Sequence, residues 1–211
     1  VKTEEDYLSQ FSNSKGKIIV DVCPSYGSYE SSLLKIKKFN PRAKLVYLTR
    51  NPVERAISHY LMDFNKGYIK ESLNSIISRY NNGERDEVIF QIIELGFYNE
   101  FINSAKKNFK EKEIFEINLF DATQDNLKNL NNFIGSDFIS QELLRLRFNE
   151  AFIPKYNFIK TMRSSKLIFS LYQKIASENV KDKVRLLLSK KNSKKPDLLI
   201  EKRRLNDIYF S

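Results

Sequence analysis

Arg50 and Ser58 bracket the stretch "RNPVERAIS", and together they can hold a phosphate. An arginine offers a planar fork of N–H donors that matches phosphate oxygens, and a serine hydroxyl adds a short donor beside it. Between them, Asn51, Pro52 and Glu54 are helix-starting residues: Asn caps, Pro suits the first turn, and Glu resembles a capping-box partner. A helix starting there turns its free amides and the positive end of its dipole toward Arg50, which is an anion site by geometry. The same arginine could instead be a structural cation paired with Glu54 or Asp21. Arg55 reads as a surface or helix-pairing residue, with ligand contact as the alternative. His59 is the only histidine; its side-chain type suits a general base, but its place reads as a partly exposed helix position. Asp21 stands where it could orient an acceptor hydroxyl or a lysine. Cys23 reads as a small buried filler. With 1 Cys and 1 His, an internal disulfide and a multi-Cys zinc site are excluded, and no metal site is expected.

These residues need a scaffold. "KIIVDV" (Lys17–Val22), "KLVYLT" (Lys44–Thr49) and "EIFEINL" (Glu113–Leu119) are short apolar runs that read as strands, the first ending at Asp21 and Cys23. Helical spacing covers Glu30–Lys38, Pro52–Phe64, Asp86–Phe109, Gln124–Ile134 and Ser164–Ser177. In the second of these, Val53, Ala56, Ile57, Tyr60, Leu61 and Phe64 should face the core, leaving Arg55, Ser58 and Met62 on another stripe. Strands alternating with helices predict an α/β fold, a parallel sheet flanked by helices. Ligands of such sheets bind beyond the carboxyl ends of the strands, which is where Arg50 stands. "KKNSKKPD" (Lys190–Asp197) reads as a loop.

The chain has 211 residues, 41% of them hydrophobic, enough for one domain with a real core. No apolar run approaches the roughly 18–20 residues that span a bilayer, and no signal peptide opens the sequence. The net charge of +10 favours an anionic partner such as a nucleotide, a nucleic acid or an acidic glycan. Basic residues crowd the carboxyl-terminal region, 178–211, where the lysines of Lys190–Lys195 could approach a cofactor or glycan, or form a solvated surface.

"LTRNPVERAISHY" resembles the 3′-phosphate-binding segment of sulfotransferases that use 3′-phosphoadenosine 5′-phosphosulfate (PAPS). The resemblance implies that Arg50 and Ser58 hold the 3′-phosphate. "VDVCPSYGSY" is similar to an acidic-x-hydroxyl-Pro-x-Tyr segment of that family, with Asp21 in the acidic place. "ELGFYNEFINSAKKNF" resembles its Gly-x-Tyr stretch near the adenine, which makes Gly96 and Tyr98 cofactor-binding candidates; Tyr98 could stack on adenine or fill core. "EIFEINLFDATQDNLKNLNNFIG" and "FNEAFIPKY" resemble segments that follow. The likeness is nearest to the carbohydrate-directed, heparan-sulfotransferase-like group. It implies a P-loop-NTPase-like sulfotransferase fold and transfer of a sulfuryl group from PAPS, as co-substrate, to a hydroxyl or amine of a carbohydrate, without a metal. The partners are then a nucleotide donor and a glycan, with no specific nucleic acid and no transmembrane segment.

None of the six glycines precedes Lys-Ser, Lys-Thr or Thr, so the family's phosphosulfate loop has no match. The expectation is a single sulfotransferase domain over 1–211 that is a fragment. Its missing amino-terminal part would bring that loop and the usual catalytic base, and the fragment alone would be inactive. The catalytic residue stays unassigned, with Asp21 as the candidate. Two other classes remain open: a P-loop-type nucleotide kinase and a basic nucleic-acid-binding module. The expected compartment is the cytoplasm, or the Golgi lumen if the missing part carries a membrane anchor.

Overall fold

The computed structural model describes residues 3–14, 16–118, 123–137, 139 and 198–211. In chain order these form α1 (Glu4–Ser9), α2 (Glu30–Phe39), β1 (Leu45–Thr49), α3 (Pro52–Lys66), α4 (Leu73–Asn81), α5 (Glu87–Ile92), α6 (Tyr98–Lys106), β2 (Ile114–Asn118), α7 (Gln124–Ile134) and α8 (Leu199–Phe210). The expected helix Ser164–Ser177, the loop Lys190–Asp197 and the "FNEAFIPKY" turn lie outside the described residues.

β1 and β2 pair in parallel, with Leu45 opposite Ile114 and Thr49 opposite Asn118. That pairing needs a long crossover, and α3 to α6 supply it. Side chains alternate along β1, so Leu45 and Tyr47 pack with Ile114 against Leu33 of α2, Ala105 of α6 and Phe109. On the opposite face Ile117 and Phe115 pack against Leu127 and Leu130 of α7. Helices thus lie on both faces of the parallel pair, α7 against β2 only, since Val46 and Leu48 of β1 are exposed; this is the α/β arrangement that the sequence predicts.

The largest core lies beside this sheet, among the helices. Val53, Ala56, Ile57 and Tyr60 of α3 meet Leu73, Ile76 and Ile77 of α4, Ile89 and Ile92 of α5, and Leu205 of α8. Leu61 and Phe64 are partly buried against this cluster, so the apolar stripe expected for α3 is the observed one. Local signals set its ends. The Asn51 side chain accepts from the Glu54 amide, Pro52 opens the first turn, and Gly67 closes the helix at φ 78°, a left-handed cap that glycine adopts without strain.

Three sequence expectations change. Lys17–Val22 is not a buried strand: Ile19 is 52% and Val22 78% exposed. The Lys17 amide donates to the Ser14 carbonyl, which closes a turn where a ladder would begin. An apolar, β-branched run becomes a strand only beside a partner, and among the described residues β1 pairs with β2 alone. Asp86–Phe109 is not one helix. It breaks after α5 into a 3-10 turn, Glu94–Gly96, and resumes at Tyr98. Helix α4 was not expected, although Ser72 caps it and Leu73, Ile76 and Ile77 have helical spacing.

Candidate functional site

Arg50 follows the last residue of β1 and precedes the cap of α3, so the strand end and the helix start meet at its guanidinium. Nη2 donates to the Glu54 carbonyl at 3.0 Å, while Nε is buried without a partner. The Glu54 carboxylate is engaged elsewhere, by Lys202 of α8 at 2.6 Å. Arg50 is therefore not the structural partner of the Glu54 carboxylate. Burial is the main pressure against its charge, and Arg55 adds repulsion, while Tyr98 and Glu54 act the other way. A half-buried cation with an unused N–H and a second cation nearby favours an anion.

Tyr98, the first residue of α6, lies at this arginine. Burial pushes its phenol up, opposed by Arg55, by Arg50 and by a backbone contact from Arg50. The structure thus brings Arg50 and Tyr98 together, from β1–α3 and from α6. Ser58 lies two turns into α3 and is exposed, on the same side of the helix as Glu54. A ligand reaching both Arg50 and Ser58 would run along the outside of α3.

Gly96 is buried, and the space where a Cβ would stand is taken by Tyr209 of α8: its Cε1 and hydroxyl would be 2.7 Å away. What closely approaches Gly96 is therefore a side chain of the chain itself. Asp21 is exposed and accepts from the Tyr7 hydroxyl at 3.0 Å. No described contact joins it to Arg50 or Tyr98. Cys23 is half-buried rather than core, and its thiol, 3.5 Å from the Ser25 hydroxyl, is lowered chiefly by that contact.

Arg55 has a role that the sequence did not disclose. Nη1 donates to the Gln91 carbonyl at 2.9 Å, and Nη2 to Ile92 at 2.5 Å and Ile93 at 3.5 Å. The Gln91 and Ile92 carbonyls are acceptors at the end of α5, where a cation also meets the negative end of the helix dipole. Nη1 also lies 3.5 Å from Nδ1 of His59. Arginine only donates, so a hydrogen bond at this contact places the acceptor on Nδ1 and leaves Nε2, 3.3 Å from Asp63, to carry the ring proton. Burial depresses the His59 pKa, helped by Arg55, Lys66 and Arg50 and opposed by Asp63. His59 thus sits inside a chain of contacts within α3, with burial as the main pressure against its charge.

Helix α8 is the other element missed. Its Leu205 is fully buried in the main core. Arg204 donates to the Asn74 side chain, and to the Ser78 hydroxyl at 3.2 Å. Lys202 and Arg204 of the basic carboxyl-terminal region are thus engaged in holding α8 to α3 and α4. No helix of the described residues is long and apolar enough to cross a membrane.

No protein-family model matches the chain. Over 94 residues it is 28% identical to heparan sulfate glucosamine 3-O-sulfotransferase 6 of Mus musculus, a match covering 44% of this chain and 27% of that protein. The chain therefore spans about a quarter of the curated relative it matches. In three dimensions it matches the crystal structure of a sulfotransferase from Alicyclobacillus acidocaldarius with a TM-score of 0.56 and 14% identity, over 99% of this chain and 72% of that one. The structural likeness shows the sulfotransferase fold, and the two matches together support a sulfotransferase family for this chain.

Proposed function

We propose that this chain carries the 3′-phosphate end of the donor site of a sulfotransferase that uses PAPS and sulfates a hydroxyl or amine, on a carbohydrate acceptor. The observation that carries the reading is the half-buried Arg50 cation at the end of β1, with Nε unpaired, Tyr98 beside it and Ser58 further along α3. A terminal phosphate fits this set: it accepts from the arginine fork and from a hydroxyl. The resemblance of "LTRNPVERAISHY" supports the same assignment, and the named acceptor of the mouse relative supports a glycan.

When bound, PAPS supplies the activated sulfuryl group. The residues described here bind and orient. Arg50 and Ser58 fix the register of the nucleotide from its 3′-phosphate, and Tyr98 offers a ring face or hydroxyl to the remainder. In-line group transfer depends mostly on such positioning. ATP lacks a 3′-phosphate, so this contact selects the donor. His59 serves the fold rather than proton transfer, because both ring nitrogens are engaged within α3.

Calorimetry with 3′-phosphoadenosine 5′-phosphate and with ATP tests the reading. Binding of the bisphosphate at least about tenfold tighter than ATP is expected, since one charge-assisted contact contributes about 1.5–3 kcal/mol. Equal affinity would remove the 3′-phosphate assignment, and preference for ATP would favour a kinase.

A further inference from the structure

Two side chains from distant parts of the chain grip one turn. The Tyr209 hydroxyl of α8 donates to the Ile93 carbonyl at 2.7 Å. Arg55 of α3 reaches that carbonyl and the two before it, and also contacts the Tyr209 hydroxyl. The Tyr209 ring lies on Gly96, closely enough that a Cβ there would meet it. It also meets the edge of Phe97 with ring centroids 5.2 Å apart. The gripped turn, Ile93–Phe97, is where the expected long helix breaks, and the next residue is Tyr98. Outside the turn, Lys202–Glu54 and Arg204–Ser78 fasten α8 to α3 and α4.

We propose that Tyr209 and Arg55 form a clamp on the Ile93–Phe97 turn that sets Tyr98 against Arg50, so that α8 takes part in donor binding without touching the donor. The inference rests on the donor-site reading above. The geometry is specific in one respect: the turn is held from α3, which carries Arg50's neighbourhood and Ser58, and from α8, which carries neither. Loosening the α8 side leaves the Arg50 contact with Glu54 in place and loosens the turn that carries Tyr98. Tyr209 is therefore a positioning residue, acting through Tyr98. Gly96 is its counterpart, since only glycine leaves room for the ring.

The test uses the full chain and Tyr209→Phe, which removes the hydroxyl and keeps the ring on Gly96 and Phe97. Bisphosphate affinity, measured by calorimetry, should fall about 3- to 10-fold, the loss that one hydrogen bond produces. Amide hydrogen exchange across residues 94–98 should quicken by about tenfold. In a cycle with Tyr98→Ala, the Tyr209→Phe loss should shrink to under about twofold, because the effect travels through Tyr98. Gly96→Ala should weaken binding in the same direction. If the unmutated chain binds the bisphosphate and Tyr209→Phe binds as well, the clamp is overturned while the donor site stands. Additive losses in the cycle, or unchanged exchange at 94–98, overturn it too. If the folded, unmutated chain does not bind the bisphosphate, the donor-site reading falls and the clamp's role in binding falls with it.

Discussion

Replacing Arg50 by alanine should weaken bisphosphate binding by about 10- to 150-fold and leave the fold nearly unchanged. Both halves follow from the surroundings of the side chain. Arg50 makes one described hydrogen bond, from Nη2 to the Glu54 carbonyl, and removing such a bond near a helix start costs about 0.5–1.5 kcal/mol. Against this loss, alanine relieves the burial of a cation and its repulsion from Arg55. The net change in stability should therefore lie within about 1 kcal/mol, visible as a small shift in urea midpoint. The bound state has no such compensation. A charge-assisted contact to a phosphate contributes about 1.5–3 kcal/mol, which is the stated range in Kd. Arg50→Lys should recover only part of it, because a point charge replaces a fork. Calorimetry of the three proteins, with melts as a control, checks the argument. Equal affinity in Arg50→Ala and the unmutated chain would refute it, and so would a loss of binding that accompanies unfolding.

Three further outcomes are expected. Ser58→Ala should weaken bisphosphate binding by about 3- to 10-fold with an unchanged melting temperature, since the hydroxyl is exposed and its loss disturbs no packing. Ile76 is 0% exposed in the main core, so Ile76→Ala should lower unfolding free energy by about 2–5 kcal/mol in urea titration. The depressed pKa of His59 means that the unfolded chain takes up a proton before the folded one does; stability from this group is full above the ordinary value of about 6.5 and declines as pH falls through it toward the folded value. Urea midpoints at pH 8 and pH 5.5 should show the decline, and His59→Gln should flatten it.

The part of the site legible in the sequence is the part made of neighbours. Asn51 and Pro52 act within one turn, so the start of α3 and the place of Arg50 follow from local rules, and the cap bond from the Glu54 amide to Asn51, 3.1 Å, agrees; the Glu54 carboxylate, expected to complete a capping box, pairs with Lys202 instead. The ends of α7 are equally local, with Thr123 capping one and Gly135 closing the other. Lys17–Val22 fails for the opposite reason. Its β-branched composition fits a strand, but strand formation is decided by what lies alongside, and composition carries no information about that.

The break before Tyr98 was hidden at longer range still. Periodicity from Asp86 to Phe109 reads as one helix because nothing nearby forbids it. The turn at the break holds Gly96, against which the Tyr209 ring lies, and the Tyr209 hydroxyl bonds the Ile93 carbonyl from 116 positions away. Arg55 was hidden in another way. On the helix it looks like a solvent-facing cation, yet its donors end on carbonyls of α5, which a helical wheel of α3 cannot show. Contact with ligand and placement of the contact are thus encoded differently. On the proposed reading, Arg50 and Ser58 are recognisable from type and spacing because a phosphate demands those groups. Arg55, Gly96 and Tyr209 meet around the Gln91–Ile93 carbonyls and Phe97, so their arrangement becomes visible when α3, the turn and α8 stand together. On that argument, a substitution that improves α8 packing should sharpen donor binding through Tyr98, although α8 itself offers the nucleotide nothing.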